Sequence, residues 1–177
     1  MLDLDRFVDD CRTAAKADPS HRTCHDVMKR AFSDPAAVMA AVGEPTESGI
    51  IPIYKSKDLT IINVIWKPHM TVLPHNHEMW AIIGVYSGRE DNIFWRRIKD
   101  DTKGRVEAAG AQALCRGDVV PLGKDIVHSV TNPIMKLTGA IHVYGGDFFD
   151  IERSEWDPES LSERPYDMTK NRALFNK

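Results

Sequence analysis

The chain has 177 residues, 42% hydrophobic and 28% charged, with 23 Lys and Arg against 26 Asp and Glu. That length suits one domain whose core needs no disulfide staples. The formal net charge of −3 disfavours a general nucleic-acid role, and no apolar run approaches the roughly 18 residues of a membrane span. The acidic start, Met1-Leu-Asp-Leu-Asp5, lacks the basic flank and apolar stretch of a signal peptide. Cys11, Cys24 and Cys115 are odd in number and show no CxxC spacing. They read as reduced thiols of a cytoplasmic protein.

The first third reads helical. Leu4, Phe7, Val8 and Cys11 recur at helical spacing within residues 2–17, and Asp18-Pro19-Ser20 breaks the pattern. A second short helix is expected over residues 25–32. Asp34 then caps a third helix with Pro35 at its first position, and residues 36–42 carry it to Gly43. After Glu44-Pro45 the composition changes to short β-branched or aromatic runs over 50–54, 59–66, 80–86, 93–98, 112–114, 119–122, 129–131 and 137–144. Lys-Asp, Ser-Gly, Arg-Gly-Asp and Asn-Pro turns separate them, which argues an all-β sandwich or barrel. The divisions expected are N-terminal helices over 1–45, a barrel over 46–150, and a charged extension over 151–177 that wraps the outside as a loop or short helix.

The chemistry concentrates in histidines. In Leu73-Pro-His75-Asn-His77-Glu-Met-Trp80 two imidazoles stand one residue apart, so a strand would turn both to one face. Alone, this HxH reads equally as two surface histidines in a turn. His128 follows a Gly117-Asp118 turn, a strand and a second turn. Together the three give a three-nitrogen metal site with coordination positions left free. Glu78 would point to the opposite strand face and is a poor ligand.

Gly117-Asp118, Pro121 and His128 resemble the second cupin motif, and Pro74-His-x-His77 followed by Gly84 and Gly88 resembles the first. Cupins commonly carry a Glu ligand four or five residues after the second histidine, where this chain has Ala81 and Ile82. The site is therefore expected to hold three histidines, as in the thiol dioxygenase branch of cysteine and 3-mercaptopropionate dioxygenases. Ile141-His142-Val-Tyr144-Gly-Gly resembles that branch's His-x-Tyr strand, and residues 80–90 look most like its bacterial 3-mercaptopropionate type. The resemblance covers roughly residues 50–153. It implies an all-β cupin fold, a double-stranded β-helix barrel, with an N-terminal helical segment. It further implies Fe(II) on His75, His77 and His128, with Tyr144 facing the iron and His142 orienting Tyr144. A small thiol and O2 would be the partners, with neither nucleic acid nor membrane involved, in a monomer or homo-oligomer.

Two departures stand out. Animal cysteine dioxygenases place a cysteine, cross-linked to the tyrosine, where this chain has Ile82; the bacterial enzymes also lack it. The family often has a serine two residues before the His of His-x-Tyr, and here that position is Ala140, which shortens the outer relay to His142 and Tyr144.

A thiol-carboxylate substrate needs a cation, best an arginine fork. Residues 49–54, where mammalian-type enzymes carry it, contain none. Arg153, nine residues beyond Tyr144, matches the bacterial placement. Arg89, Arg96 and Arg97 are the other candidates, with at most one of the last two facing inward. His69, His21 and His25 read as surface residues, and Trp66, Trp80 and Trp95 as core or pocket wall. Two further functions stay open: another three-histidine cupin dioxygenase, and a non-catalytic metal-binding cupin or small-molecule sensor.

Overall fold

The computed structural model describes residues 2–175. Three helices lead: α1 (Leu4–Ala17), α2 (Arg22–Ala31) and α3 (Pro35–Val42). Asp3 caps α1 by accepting from Arg6 N at 3.0 Å. Asp34 caps α3 by accepting from Ala36 N and Ala37 N, with Pro35 at the first helical position as expected. Eleven strands and a last helix follow. They are β1 (Gly49–Lys55), β2 (Thr60–Trp66), β3 (Thr71–His75), β4 (Ala81–Ser87), β5 (Arg89–Arg97), β6 (Val106–Cys115), β7 (Val119–Leu122), β8 (Val127–Thr131), β9 (Thr138–Tyr144), β10 (Ser154–Trp156), β11 (Glu163–Pro165) and α4 (Met168–Ala173).

The strands form two antiparallel sheets, ordered β1-β2-β9-β4-β7 and β11-β10-β3-β8-β5-β6. Apart from the β5–β6 hairpin, every step from β2 to β9 crosses between sheets. Eight strands wound in this way make a jelly roll, the double-stranded β-helix of cupins. The five-stranded sheet is buried on both faces. Ile62, Val64, Ile83, Val85 and Tyr144 face the barrel interior. Ile61, Ile82, Tyr86, Ile141 and Val143 alternate outward against Phe7, Cys11, Cys24, Met28 and Phe32 of the helical segment. Burial on both faces explains why β2, β4 and β9 read as unbroken apolar runs. At Gly84 the helices come so close that a Cβ would stand 2.6 Å from the Phe32 ring. In the other sheet most of β6 is exposed.

Three expectations need correction. His75 and His77 do not share a strand face: His75 ends β3, a strand not expected from the sequence, and His77 lies in the turn to β4. The chain beyond residue 150 is more than an outer wrap. Its β10 pairs with β3 through Glu155 and His75, and Trp156 is fully buried. His21 and His25 are half-buried rather than on the surface.

Candidate metal centre

Register places the first two imidazoles. Pro74 has no N–H to give the ladder, and the pairing of β3 with β8 slips between Val72 and His75, which sets His75 directly opposite His128. The turn that carries His77 is clamped to β10. Asn76 N donates to Ser154 O at 3.1 Å, and Ser154 N donates to Asn76 Oδ1 at 2.8 Å. Asn76 Nδ2 donates to Glu78 Oε1 at 2.6 Å, and Glu78 adopts a positive φ of 54°. This geometry, and not strand alternation, turns His77 inward and Glu78 away from the cluster.

The ligand atoms of His75, His77 and His128 lie within 4.8 Å of one another, and all three residues are buried. His77 Nε2 is 3.2 Å from His75 Nε2 and 3.3 Å from His128 Nε2. A metal about 2.0–2.1 Å from each nitrogen would space its ligand atoms by roughly 3.0–3.4 Å, and the two separations that involve His77 fall in that range. The tautomers suit a metal too. His75 Nδ1 donates to the carbonyl of Leu73 at 2.8 Å, and His128 Nδ1 donates to Asn92 Oδ1 at 2.7 Å. Both Nε2 atoms are therefore bare lone pairs aimed at the same point. Burial lowers the His75 pKa to about 4 and pushes His77 and His128 down as well, with their mutual proximity adding to the effect. Neutral imidazoles are the metal-binding form.

These histidines line a cavity of about 40 Å³ together with Trp66, His142 and Tyr144. His142 and Tyr144 come from the inward face of β9, and His142 Nδ1 lies 3.0 Å from the Tyr144 hydroxyl. The Tyr144 ring stands edge-on to His77, centroids 5.1 Å apart, and burial raises its hydroxyl pKa well above the ordinary value. Ile82 faces the helices instead of the cavity. The C-terminal segment roofs the cavity with Met168, Asn171, Arg172 and Phe175. Asn171 Nδ2 holds this roof to buried Glu155 at 2.8 Å, and Phe175 packs on Trp66 with centroids 5.5 Å apart.

Behind His142 stands fully buried Glu90, with Oε2 3.4 Å from His142 Nε2 but no hydrogen bond between them. Glu90 Oε2 also accepts from Trp66 Nε1 at 3.0 Å, and its Oε1 accepts from Asn92 Nδ2 at 3.1 Å. Sequence reasoning missed Glu90 and Asn92 because Arg89-Glu-Asp-Asn92 reads as a polar turn. The available signal was their spacing: residues 90 and 92 share one strand face.

Arg153 is also buried, 7% exposed, with its guanidinium between the rings of Phe148 and Tyr166 at 4.1 and 4.2 Å. Its Nη1 donates to Phe148 O at 2.7 Å, while Nε and Nη2 have no hydrogen-bond partner among the described residues. Arg153 lines an outer groove, and Tyr166 borders both that groove and the cavity. The rival arginines turn elsewhere. Arg89 pairs with Asp91, Arg96 with Glu107 and Arg97 with Glu163, all near the surface. His69 is exposed, and Trp80 and Trp95 are tied to Pro19 O and Ser129 Oγ, away from the cavity lining.

The fold and site together define a cupin-type β-helix with three clustered imidazoles that could hold a metal ion. No family model matches the chain. A cupin of the RmlC-like family from Methanocaldococcus jannaschii is similar at a TM-score of 0.47 and 8% identity, covering 60% of this chain and 86% of that one. A double-stranded β-helix protein from Klebsiella pneumoniae gives 0.44 and 14%, covering 62% and 82%. A variant of Bacillus subtilis oxalate decarboxylase gives 0.43 and 16%, covering 59% of this chain and 27% of that one. No helix is long and apolar enough to cross a membrane among the described residues.

Proposed function

We propose that the protein is a non-haem iron(II) thiol dioxygenase that converts a small thiol carboxylate, such as 3-mercaptopropionate or cysteine, to its sulfinate. The observation that carries this reading is the meeting of three buried, neutral imidazoles with the Tyr144–His142 pair in one small cavity. Iron(II) held by His75, His77 and His128 would supply open positions for a thiolate and dioxygen, and the electrons that begin oxygen reduction. Three neutral ligands leave the ion's charge uncompensated, which favours an anionic thiolate over the thiol. The reaction balances without another reductant: RSH and O2 give RSO2H, with sulfur losing four electrons and dioxygen gaining them.

The chain's own contribution is orientation and a dry pocket. Tyr144 stays a phenol because burial raises its pKa. Its hydroxyl lies 3.0 Å from His142 Nδ1, a contact that holds the phenol in the cavity wall. Arg153 offers a carboxylate its Nε–Nη2 edge, the paired geometry that two carboxylate oxygens match. The cavity, about 40 Å³ and roofed by the C-terminal segment, favours a small thiol over the larger substrate of a carbon–carbon-cleaving dioxygenase. The test is oxygen uptake by the iron-loaded protein against a panel of small thiols. Uptake with a thiol acid supports the reading. Iron bound without uptake for any thiol would leave a binding or sensing cupin.

A further inference from the structure

We propose that Glu90 is a positioning residue for the metal centre: through Asn92 it fixes which nitrogen of His128 carries the proton. With Glu90 as a carboxylate, the geometry leaves one self-consistent pattern of donors. Both oxygens of Glu90 accept, one from Trp66 Nε1 and one from Asn92 Nδ2. A carboxylate that only accepts forces the Asn92 amide to turn its NH2 toward Glu90. Asn92 Oδ1 must then face His128 Nδ1, 2.7 Å away, and can only accept there. The proton of His128 is held on Nδ1, and the Nε2 lone pair is delivered to the point where the other two imidazoles converge. The register supports this: Glu90 and Asn92 sit on the inward face of β5, and that strand runs beside β8, which carries His128. The three residues are at most 1% exposed, so water offers them no alternative partners.

The chain His128–Asn92–Glu90 thus extends the familiar pairing of a metal-bound histidine with a carboxylate by one amide. Fully buried Glu90 has no Lys or Arg among its hydrogen-bond partners, and the His142 imidazole stands 3.4 Å from its Oε2.

The proposal rests on the three histidines as metal ligands but not on the thiol chemistry. It is tested by titrating the metal-free protein with Co(II) alone, in competition with a chelator of known affinity, with circular dichroism as a check on folding. Glu90→Gln should weaken Co(II) binding by roughly 10–100-fold, the usual cost of losing such a partner. An amide cannot accept from Asn92 and Trp66 at both ends. The double variant Glu90→Gln/Asn92→Asp should recover most of the affinity. Its introduced aspartate can only accept from His128 Nδ1, while the introduced amide donates to it and keeps its oxygen for Trp66. A role in packing alone predicts no such rescue. Should Glu90→Gln fail to fold, Asn92→Ala carries the same test, with the same loss expected. Unchanged affinity in Glu90→Gln or Asn92→Ala, or a folded double variant as weak as the single, would overturn the proposal. Wild-type protein that binds no Co(II) would overturn the ligand assignment beneath it.

Discussion

The two ends of the site present opposite unmet demands. At the deep end, the imidazoles of His75 and His128 expose bare lone pairs, their N–H groups already spent on Leu73 O and Asn92 Oδ1. At the groove end, Arg153 buries Nε and Nη2 without a hydrogen-bond partner among the described residues, with only Nη1 spent on Phe148 O. Buried polar groups are normally satisfied, so each end implies a missing partner of the opposite kind. The first calls for a cation and the second for an anion with two oxygens. A small thiol carboxylate bound to a metal would satisfy both at once. The comparison teaches that the ligand is legible in what the protein leaves unpaired.

The largest effects should come from the deep end. Replacing His75, His77 or His128 with Ala should remove most bound iron and nearly all activity while leaving the barrel folded, as iron content and circular dichroism would show. Full iron occupancy in all three variants would break the comparison at its first term. Tyr144→Phe should keep its iron and lose about 10²–10³-fold in turnover, the typical worth of a positioned donor. His142→Ala should change the rate in the same direction, because Tyr144 loses its partner at 3.0 Å. An unchanged rate would make Tyr144 only part of the barrel wall.

The groove end should matter less and selectively. Arg153→Ala should raise KM for a thiol acid by roughly tenfold to a hundredfold, from a charge-assisted bond worth about 1.5–3 kcal/mol. It should scarcely change KM for a neutral thiol of equal length. Arg153→Lys should recover only part of the loss, since an ammonium cannot offer a paired edge. Equal losses for acid and neutral thiols would make Arg153 a structural clamp between Phe148 and Tyr166.

A last effect is on stability. The folded protein holds His75 at about 4 and depresses His77 and His128, whereas each titrates near 6.5 in the unfolded chain. Between those values the unfolded chain binds protons that the folded one refuses, so the metal-free protein should lose stability as pH falls from 6.5 toward 4. His75 alone would account for on the order of 3 kcal/mol at the lower end, and each kcal/mol is worth about 2–4 °C in a domain of this size. A Tm that stays flat through this range would show that the folded imidazoles accept protons freely.

Much of this was legible in the sequence because its causes are local. Asp34-Pro35 and Gly43 mark α3 at its observed limits, and the double-sided burial of β2, β4 and β9 leaves continuous apolar runs. The three histidines that cluster were singled out from spacing and resemblance, and Arg153, singled out from resemblance, lies buried beside the outer groove. What stayed hidden depends on partners far along the chain. β3 is five residues long with Pro74 near its end, so its strand character comes from pairing with β8. The tail looks like solvated loop until Glu155 meets His75 and Asn171. Glu90 and Asn92 carry no apolar signal; their spacing puts them on one strand face, and the register of β5 against β8 brings that face beside His128.

The most direct test of the central claim is the fate of labelled oxygen. Iron-loaded protein, a thiol acid and ¹⁸O2 in ordinary water should yield a sulfinate carrying two labelled atoms from one dioxygen molecule, read by mass spectrometry. A product with label from water, or oxygen uptake without sulfinate, would contradict a thiol dioxygenase.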